Sequence, residues 1–257
     1  MKHMLADTSG ATRFEPSTAN RASAVYLSEV LSDIDEGANF LNKLSGEELD
    51  VARAAGSACS FAKGEGVFFQ GDRHNGIWLI EEGAVRTFYV GPSGREITLA
   101  YWTSGHFIGG PEVFGGGTHM WSADVQEDVK LLYLTGSSIR RLVDTVPSFA
   151  VCLINGLVAK GKCYSALVQM LGTRSVTERL AQLLIVLADT HGRPEGNRLF
   201  IEKKITHEHL ATIVGSTRQW VTMTLDKFQK RGLVSVSRSQ IVIESYDLLL
   251  AQASAIE

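Results

Sequence analysis

The stretch "THEHLATIVGSTRQWVTMTLDKFQKRGLVSVSRSQIVIES", residues 206–245, decides the fold of the C-terminal part of the chain. Thr206 can cap a first helix, and Gly215 can make the turn to a second helix that runs from about residue 217 to 230. Two apolar runs, "LVSV" and "QIVIE", flank a polar "SRS" turn and predict a two-stranded wing. The pattern is typical of a winged helix-turn-helix, whose second helix enters the major groove of DNA.

The second helix has an apolar face and a polar face. Val221, Leu225 and Phe228 recur at steps of four and three, which predicts a buried stripe. The other faces carry side chains that suit base edges, since Arg pairs with guanine and Gln with adenine, while the Thr methyl group suits thymine. Hydroxyls and amides at the helix start suit phosphates. The predicted DNA-binding residues are Ser216, Thr217, Arg218, Gln219, Thr222, Met223 and Lys227.

Two residues at the start of this helix have a second interpretation. Ser216 and Gln219 have the Ser-x-x-Gln spacing of a capping box. We therefore expect Gln219 to cap the helix in the free protein and to contact a base in the complex. Trp220 either packs beneath the helix or lies along the DNA backbone, and the sequence leaves both options open.

The charge of the chain is unevenly distributed. The 257 residues have a formal net charge of −3. Residues 1–197 carry 17 basic against 22 acidic side chains, whereas residues 203–238 carry seven basic against two acidic ones. A basic module on an acidic body indicates a polyanionic partner for that module alone.

Composition sets limits on the remaining chain. A hydrophobic content of 44% in a chain of this length allows two domains with separate cores. Neither an apolar run of roughly 20 residues nor an N-terminal signal core is visible, so we expect a cytoplasmic protein without a membrane partner. Cys59, Cys152 and Cys163 form no CxxC pair, and we expect buried thiols in a reducing compartment.

Residues 57–135 have a different hydrophobic pattern from the rest of the chain. Short apolar runs such as "GIWLIEEG", "REITLAYWTSG" and "VKLLYL" are broken by glycines and predict an antiparallel β-sandwich or barrel. The glycines around residues 109–117 are more numerous than turns require, which indicates that another group approaches that backbone closely. Ahead of this segment, residues 1–20 read as a loose arm, and residues 25–49 predict short amphipathic helices.

A long helical pattern follows Pro147, which can occupy a first helical turn. Apolar residues then alternate at steps of four and three, as in a coiled-coil seam, and we expect this helix to form a homodimer. The alternative is a helix buried within its own chain. The seam consists of Ala150, Ile154, Leu157, Gly161, Tyr164, Val168 and Leu171.

The pattern stops at Gly172, and a new helix is predicted shortly after it. "SVTE", residues 175–178, has the form of a capping box, which makes 172–175 a candidate hinge. Further along, "HGRPEGN" at 191–197 predicts a loop and "RLFIEKKI" a short strand.

From residue 57 to about 245 the chain resembles the Crp/Fnr superfamily of bacterial transcription regulators. The motifs that carry this resemblance are "ITLAYWTSGHFIGG", "SVTERLAQLL" and "ITHEHLATIVGSTRQWVTMTLDKFQKRGLV". It implies an α+β protein with a jelly-roll-like antiparallel β-roll sensor, a long dimerisation helix and a winged helix-turn-helix. The expected divisions are an N-terminal part at 1–56, the sensor at 57–145, the dimerisation helix at 146–173 and the DNA-binding domain at 174–257.

The resemblance also implies partners: palindromic double-stranded DNA, a second copy of the chain, RNA polymerase and a small effector. The family usually has Arg-Glu at the first exposed positions of the recognition helix and a second Arg five residues after the first. Here Arg218 matches the first position, whereas Gln219 replaces Glu and Met223 replaces the second Arg. We therefore expect a half-site preference different from that of the catabolite activator.

The sensor departs further from the family pattern. In members that bind cyclic nucleotides, a Glu contacts the ribose and an Arg the cyclic phosphate, but here Gly110 and Trp121 or Met120 stand at those positions. Burying a phosphate without a cation is costly, so cyclic AMP is disfavoured and an apolar or aromatic effector is expected. The alternative is that these aromatic side chains are plain core. The candidate pocket residues are Trp102, Phe107, Gly109, Gly110, Glu112, Phe114, Trp121, Ser122, Tyr164 and Ser165.

Other functions remain as alternatives. A constitutive DNA-binding protein with an empty sensor would share the fold. Haem sensing would need an axial ligand, for which His106 and His119 are the nearby candidates, although a histidine in a turn is usually solvated. Redox sensing would use Cys152 or Cys163. An enzyme or metal site is not expected, because "HEH" at 207–209 lacks the spacing of HExxH.

Overall fold

The structure is a computed structural model that describes residues 39–202, 204–237 and 240–254. The predicted arm and the first part of the predicted helical segment lie outside the described residues. Helices α1 (Phe40–Lys43) and α2 (Gly46–Ala54) precede the sensor domain. Helix α2 begins with a capping box in which Ser45 and Glu48 each accept a hydrogen bond from the other's backbone amide.

The sensor domain is an antiparallel sheet of six strands, which confirms the predicted fold. The strands are β1 (Ser57–Phe61), β2 (Gly66–Phe68), β3 (Gly76–Val90), β4 (Glu96–Thr103), β5 (Phe107–Ile108) and β6 (Ser122–Thr135). Strand β3 is central and pairs with β4, β5 and β6. Register shifts interrupt its pairing with β4 and with β6, and such bulges bend long strands.

Two helices connect the sensor to the C-terminal domain. Helix α3 (Gly136–Thr145), which the sequence pattern did not predict, follows β6 directly and is capped by the Thr135 hydroxyl. The long helix α4 (Pro147–Thr173) has Pro147 in its first turn, as expected. By length and composition alone α4 could cross a membrane, a test that packing helices of other proteins also pass.

The C-terminal domain begins with the predicted capped helix. Helix α5 (Val176–His191) has the capping box of Ser175 and Glu178. Strands β7 (Gly192–Glu195) and β8 (Arg198–Ile201) follow as a hairpin. The loop predicted at 191–197 is therefore mostly strand, because Gly196, with φ of 60°, allows the chain to turn tightly and pair back on itself.

The helix-turn-helix and wing follow in the predicted order. Their elements are α6 (His207–Val214), α7 (Arg218–Lys230), β9 (Val234–Val236), β10 (Ile241–Ile243) and a final helix α8 (Tyr246–Ala253). The four strands of this domain form one sheet in the order β7-β8-β10-β9. The core of the domain also contains Tyr101 from β4 and Met170 from α4, so it packs against the sensor and the long helix.

Candidate DNA interface and effector site

The turn of the helix-turn-helix is fixed by backbone geometry. Thr206 accepts a hydrogen bond from the His209 amide at 3.1 Å and starts α6. Gly215 ends α6 in the left-handed region, with φ of 63°, which a residue with a Cβ adopts only at a cost. The stripe predicted on α7, Val221, Leu225 and Phe228, is buried.

The cap of α7 differs from the prediction. The Thr217 hydroxyl accepts a hydrogen bond from the Trp220 amide at 3.2 Å, so the cap lies one residue later than expected. The Ser216 amide instead donates to Ala211 and completes the turn that ends α6. The expected capping box of Ser216 and Gln219 is therefore wrong, and Gln219 is exposed at the helix start.

The candidate base contacts point away from the core. Arg218, Gln219, Met223 and Lys227 are exposed, whereas Trp220 is half-buried. The Thr222 hydroxyl donates to the Arg218 carbonyl at 2.9 Å and lies 2.9 Å from His207 Nδ1. The methyl group of Thr222 is therefore the candidate for a contact with DNA.

The structure brings several candidate effector residues together inside the sensor, next to α4. Trp102 and Phe107 are fully buried, and the Trp102 indole donates to Thr87 Oγ1 at 3.2 Å. The rings of Trp121 and Tyr164 meet edge to face, 5.6 Å apart, at the half-buried rim of the same cluster. Burial raises the pKa of Tyr164, so its phenol remains neutral. Gly109, Gly110 and Ser122 are also buried.

Three candidate pocket residues lie elsewhere. Phe114 is partly exposed and packs under the Arg140 guanidinium at 4.5 Å. Glu112 is exposed, and its carboxylate lies close to Gly117. Ser165 is exposed on α4.

The sensor histidines are buried, contrary to the expectation of solvated turns. His119 stacks on Phe68 with ring centroids 4.0 Å apart, and His106 packs 5.6 Å from Trp102. Burial and the neighbouring His74 lower the pKa of His119 to about 4, so the ring is neutral. Both candidate haem ligands are therefore buried and in contact with aromatic side chains. The described residues contain no group of three or more metal-ligating side chains.

Cys152 and Cys163 are buried as expected, whereas Cys59 is only partly buried. Burial raises the pKa of Cys163 to about 12 and also raises the pKa values of Cys152 and Cys59. Since the thiolate is the reactive form, these positions give no support to redox sensing.

The predicted seam of α4 divides between two faces. Leu157, Tyr164 and Leu171 pack against the chain's own hydrophobic clusters. Ile154 and Val168, by contrast, are 60% and 68% exposed. The exposed residues at heptad spacing form what we call the outer stripe, namely Val151, Ile154, Val158, Gly161, Ser165 and Val168.

Strand β4 contacts the helix-turn-helix directly, which the sequence did not predict. The Thr98 hydroxyl donates to Thr212 Oγ1 at 3.1 Å, and Tyr101 is hydrogen-bonded to His209. Arg95, just before the strand, donates to the Gly215 carbonyl at 3.0 Å. The sensor thus holds both α6 and the turn that precedes α7.

The register of β4 explains how this strand contacts both α6 and the core of the sensor. Thr98 pairs with Phe88 but Ala100 with Thr87, so Leu99 is an extra residue in the strand. Because of this bulge, Thr98 and Tyr101 share the face toward α6, and Trp102 points into the sensor.

Comparison with known families gives two matches. Residues 58–146 match the cyclic nucleotide-binding domain, and residues 178–251 match the Crp-like helix-turn-helix domain. The chain is similar to the global nitrogen regulator of Synechococcus elongatus, with 25% identity over 71% of the chain and 83% of that protein. It is equally similar, at 25%, to the CRP-like cAMP-activated global transcriptional regulator of Mycobacterium tuberculosis, over 75% of the chain and 86% of that protein.

Solved structures show the same fold. A mutant of CooA from Carboxydothermus hydrogenoformans aligns with a TM-score of 0.67 and 19% identity, over 86% of this chain and 97% of that one. The c-di-GMP responsive regulator CLP of Xanthomonas campestris aligns with a TM-score of 0.70 and 19% identity, over 78% and 100% of the two chains.

Proposed function

Because the chain belongs to the Crp/Fnr family of transcription regulators, we propose that it is a homodimeric, sequence-specific DNA-binding regulator gated by a small effector in its sensor domain. Its relatives are transcription regulators rather than enzymes. The proposed divisions are those expected from the sequence, at residues 56, 145 and 173. We further propose a cytoplasmic location, without a membrane partner, and RNA polymerase as a protein partner.

The outer stripe of α4 supports the homodimer. A mostly apolar row on a 27-residue helix buries itself most simply against the same row of a second copy. Gly161 has open space where a Cβ would be, which allows the two helices to approach closely. The dimer interface proposed from the structure is therefore the outer stripe, which keeps Ile154, Gly161 and Val168 of the predicted seam.

The start of α7 supports DNA recognition. Arg218 and Gln219 are exposed and are proposed to contact base edges, with Thr222 and Met223 offering apolar groups. Thr217 and Lys227, together with the neighbouring Ser216, are proposed to contact phosphates. A symmetric dimer would place two such helices on a palindromic site, about one DNA turn apart.

The gating proposal depends on one observation, the two-sided role of β4. One face of the strand presents Trp102 to the candidate effector site, and the other presents Thr98 and Tyr101 to α6. A ligand that moves Trp102 or α4 would therefore change how the helix-turn-helix is held. Gating requires such a differential contact in the two states.

The effector we propose is not cyclic AMP. Trp121 stands where cyclic-nucleotide members have the phosphate Arg, and Gly110 stands where they have the ribose Glu. The neighbouring Arg86 is already paired with Asp124 at 2.6 Å and with Glu96 at 3.2 Å. The aromatic cluster favours an apolar or aromatic molecule. The alternatives are a constitutive regulator with an empty sensor and, less supported by the buried histidines and thiols, a haem or redox sensor.

Two measurements test the proposal. Gel shifts on a library of palindromic DNA at rising salt should show binding that weakens steeply with salt, as counterion release requires. Thermal shifts with cyclic AMP, phenols, aromatic acids and haem should then identify one class that stabilises the protein and changes its DNA affinity. Failure to bind any DNA at low salt, with every candidate present, would sink the regulator proposal. If the DNA affinity is the same with each candidate effector as without any, the protein is a constitutive regulator.

A further inference from the structure

Lys160 is a buried cation inside the sensor, although it belongs to the long helix. Its side chain is on the inner face of α4 and only 7% of the residue is exposed. The ammonium donates to the Phe107 carbonyl at 2.7 Å. It also lies 3.5 Å from the centroid of the Trp102 ring and 4.6 Å from that of Phe107. The lysine therefore contacts two residues of the candidate effector site, Trp102 and Phe107.

Within the described residues, this ammonium has no carboxylate partner. An ammonium has three N–H donors, and only one of them has a hydrogen-bond acceptor here. The two aromatic faces attract the charge but do not neutralise it. The half-buried Arg86 is different, since two carboxylates pair with it. A buried and unneutralised cation is costly unless an anion completes its environment.

The same contact links the sensor interior to the long helix. Phe107 packs against Gly156, where an added Cβ would lie 2.5 Å from the ring. One turn later, Lys160 binds the Phe107 carbonyl. A change at Lys160 would thus act on α4, which carries the outer stripe, and on Trp102 in β4.

We propose that Lys160 recognises an effector with an anionic group, such as a carboxylate or phenolate, on an aromatic or apolar body. The anion would take the place of the Phe107 carbonyl at the ammonium. The body would pack against Trp102 and enter from the half-buried rim at Trp121 and Tyr164. This inference rests on the proposed function, because it assigns the chemistry of the effector at the same site.

The state of the free lysine supports this assignment. Burial lowers the pKa of Lys160 to about 7 in the effector-free protein. A bound anion would favour the charged form, so binding near neutral pH would take up a proton. Calorimetry in buffers of different ionisation enthalpy measures that uptake, and uptake should be absent when the lysine is replaced.

The test uses matched pairs of probes on the full-length protein. Benzoate and phenylacetate carry the anion, whereas benzamide and phenylacetamide have nearly the same shape and no charge. We expect titration calorimetry to show an anion preference of about tenfold or more in the wild type, because hydrogen bonds to charged groups are the stronger ones. Lys160→Met, which keeps the chain length, should lose that preference. Lys162→Met, two residues along the helix and exposed, should keep it.

The outcomes separate this inference from the gating proposal. An equal anion preference in the wild type and in Lys160→Met, or no binding of either anion at millimolar concentration, would overturn the assignment to Lys160. If the amides bind as well as the acids and still change DNA affinity, gating stands and the anion site is wrong. If the acids bind through Lys160 and DNA affinity does not change, the anion site stands and gating is wrong.

Discussion

At the residue scale, we expect different residues at the start of α7 to control stability and the proposed DNA recognition. Thr217 caps α7, and Gln219 has no capping role in this conformation. Thr217→Ala should therefore lower the free energy of unfolding by about 1 kcal/mol, the usual value of an N-cap hydroxyl. Ser216→Ala is the matched control and should leave it nearly unchanged. Urea denaturation of both variants checks this, and equal losses would mean that Ser216 shares the cap.

The exposed Gln219 should instead control base preference. We expect Gln219→Glu to leave the free energy of unfolding nearly unchanged, because the side chain makes no capping contact. Glu accepts hydrogen bonds from cytosine, whereas Gln can grip adenine, so the preferred half-site should change at one position. Selection from a randomised half-site library measures the change. An unaltered preference would remove Gln219 from the set of reading residues.

Lys160 gives a pH dependence with a definite sign. In the unfolded chain its pKa is 10.5, whereas burial lowers it to about 7 in the folded protein. Below the folded pKa the ammonium is charged in both states, and folding bears the full cost of burying it. As the pH rises from about 7 toward 10.5, the folded protein gives up the proton first and this cost disappears. Stability should therefore rise with pH over this interval.

The measurement compares the wild type with Lys160→Met by urea denaturation near pH 7 and near pH 10. Cys163 is the titrating neighbour of Lys160, and the groups that do not interact with Lys160 cancel in the difference. The wild type should therefore gain on the order of a few kcal/mol relative to the variant. At pH 7 the variant should be at least as stable as the wild type. A difference between the two proteins that is independent of pH would show that the ammonium bears no burial cost.

At the element scale, the outer stripe of α4 predicts the oligomeric state. Val158 lies in the middle of the stripe and is 50% exposed in the single chain. Val158→Lys would place a charge inside the proposed interface on both copies, and we expect it to convert the dimer to a monomer. Val51→Lys, at a valine on α2 that is 48% exposed, is the matched control and should stay dimeric. Sedimentation at micromolar protein concentration measures the oligomeric state of both variants. A dimeric Val158→Lys would mean that the interface lies elsewhere.

The elements also show what the sequence could predict. Two boundaries that depend on adjacent residues were predicted, namely the capping box at Ser175 and the turn at Gly215. The equally local capping box of Ser216 and Gln219 was wrong, because Thr217 caps α7 instead. The faces of α4 were assigned only in part. Its heptad period appears on two sides of the helix, and the contacts of Leu157 and Tyr164 with distant strands decide which side is internal. A lysine on the inner heptad row was the available signal for Lys160.

At the scale of the whole molecule, β4 and α4 connect the three proposed sites, which lie far apart in the chain. Lys160 and Trp102 meet in the sensor, the opposite face of α4 carries the outer stripe, and Thr98 on β4 holds α6. The bulge at Leu99 allows β4 to present different side chains to its two neighbours. No single segment predicts this arrangement, because it depends on strand register and on contacts more than 100 residues apart, such as that of Thr98 with Thr212.

The contact between β4 and α6 is therefore expected to hold the DNA-binding domain in its effector-free position. Thr98→Val removes one hydroxyl with little change of volume, and Thr212 keeps its own bond to the His209 carbonyl. Arg95→Ala releases the Gly215 carbonyl. Each variant should raise the DNA affinity of the effector-free protein, within the 5–150-fold range that is typical of allosteric coupling.

Lys63→Ala removes an exposed charge in the β1–β2 loop, so it controls for the change in net charge and should not raise the DNA affinity. Gel shifts without effector measure the three variants side by side. If Thr98→Val and Arg95→Ala bind DNA as the wild type does and fold normally, the contact is packing alone, and any signal would have to reach α7 through α4 and the candidate hinge at 172–175.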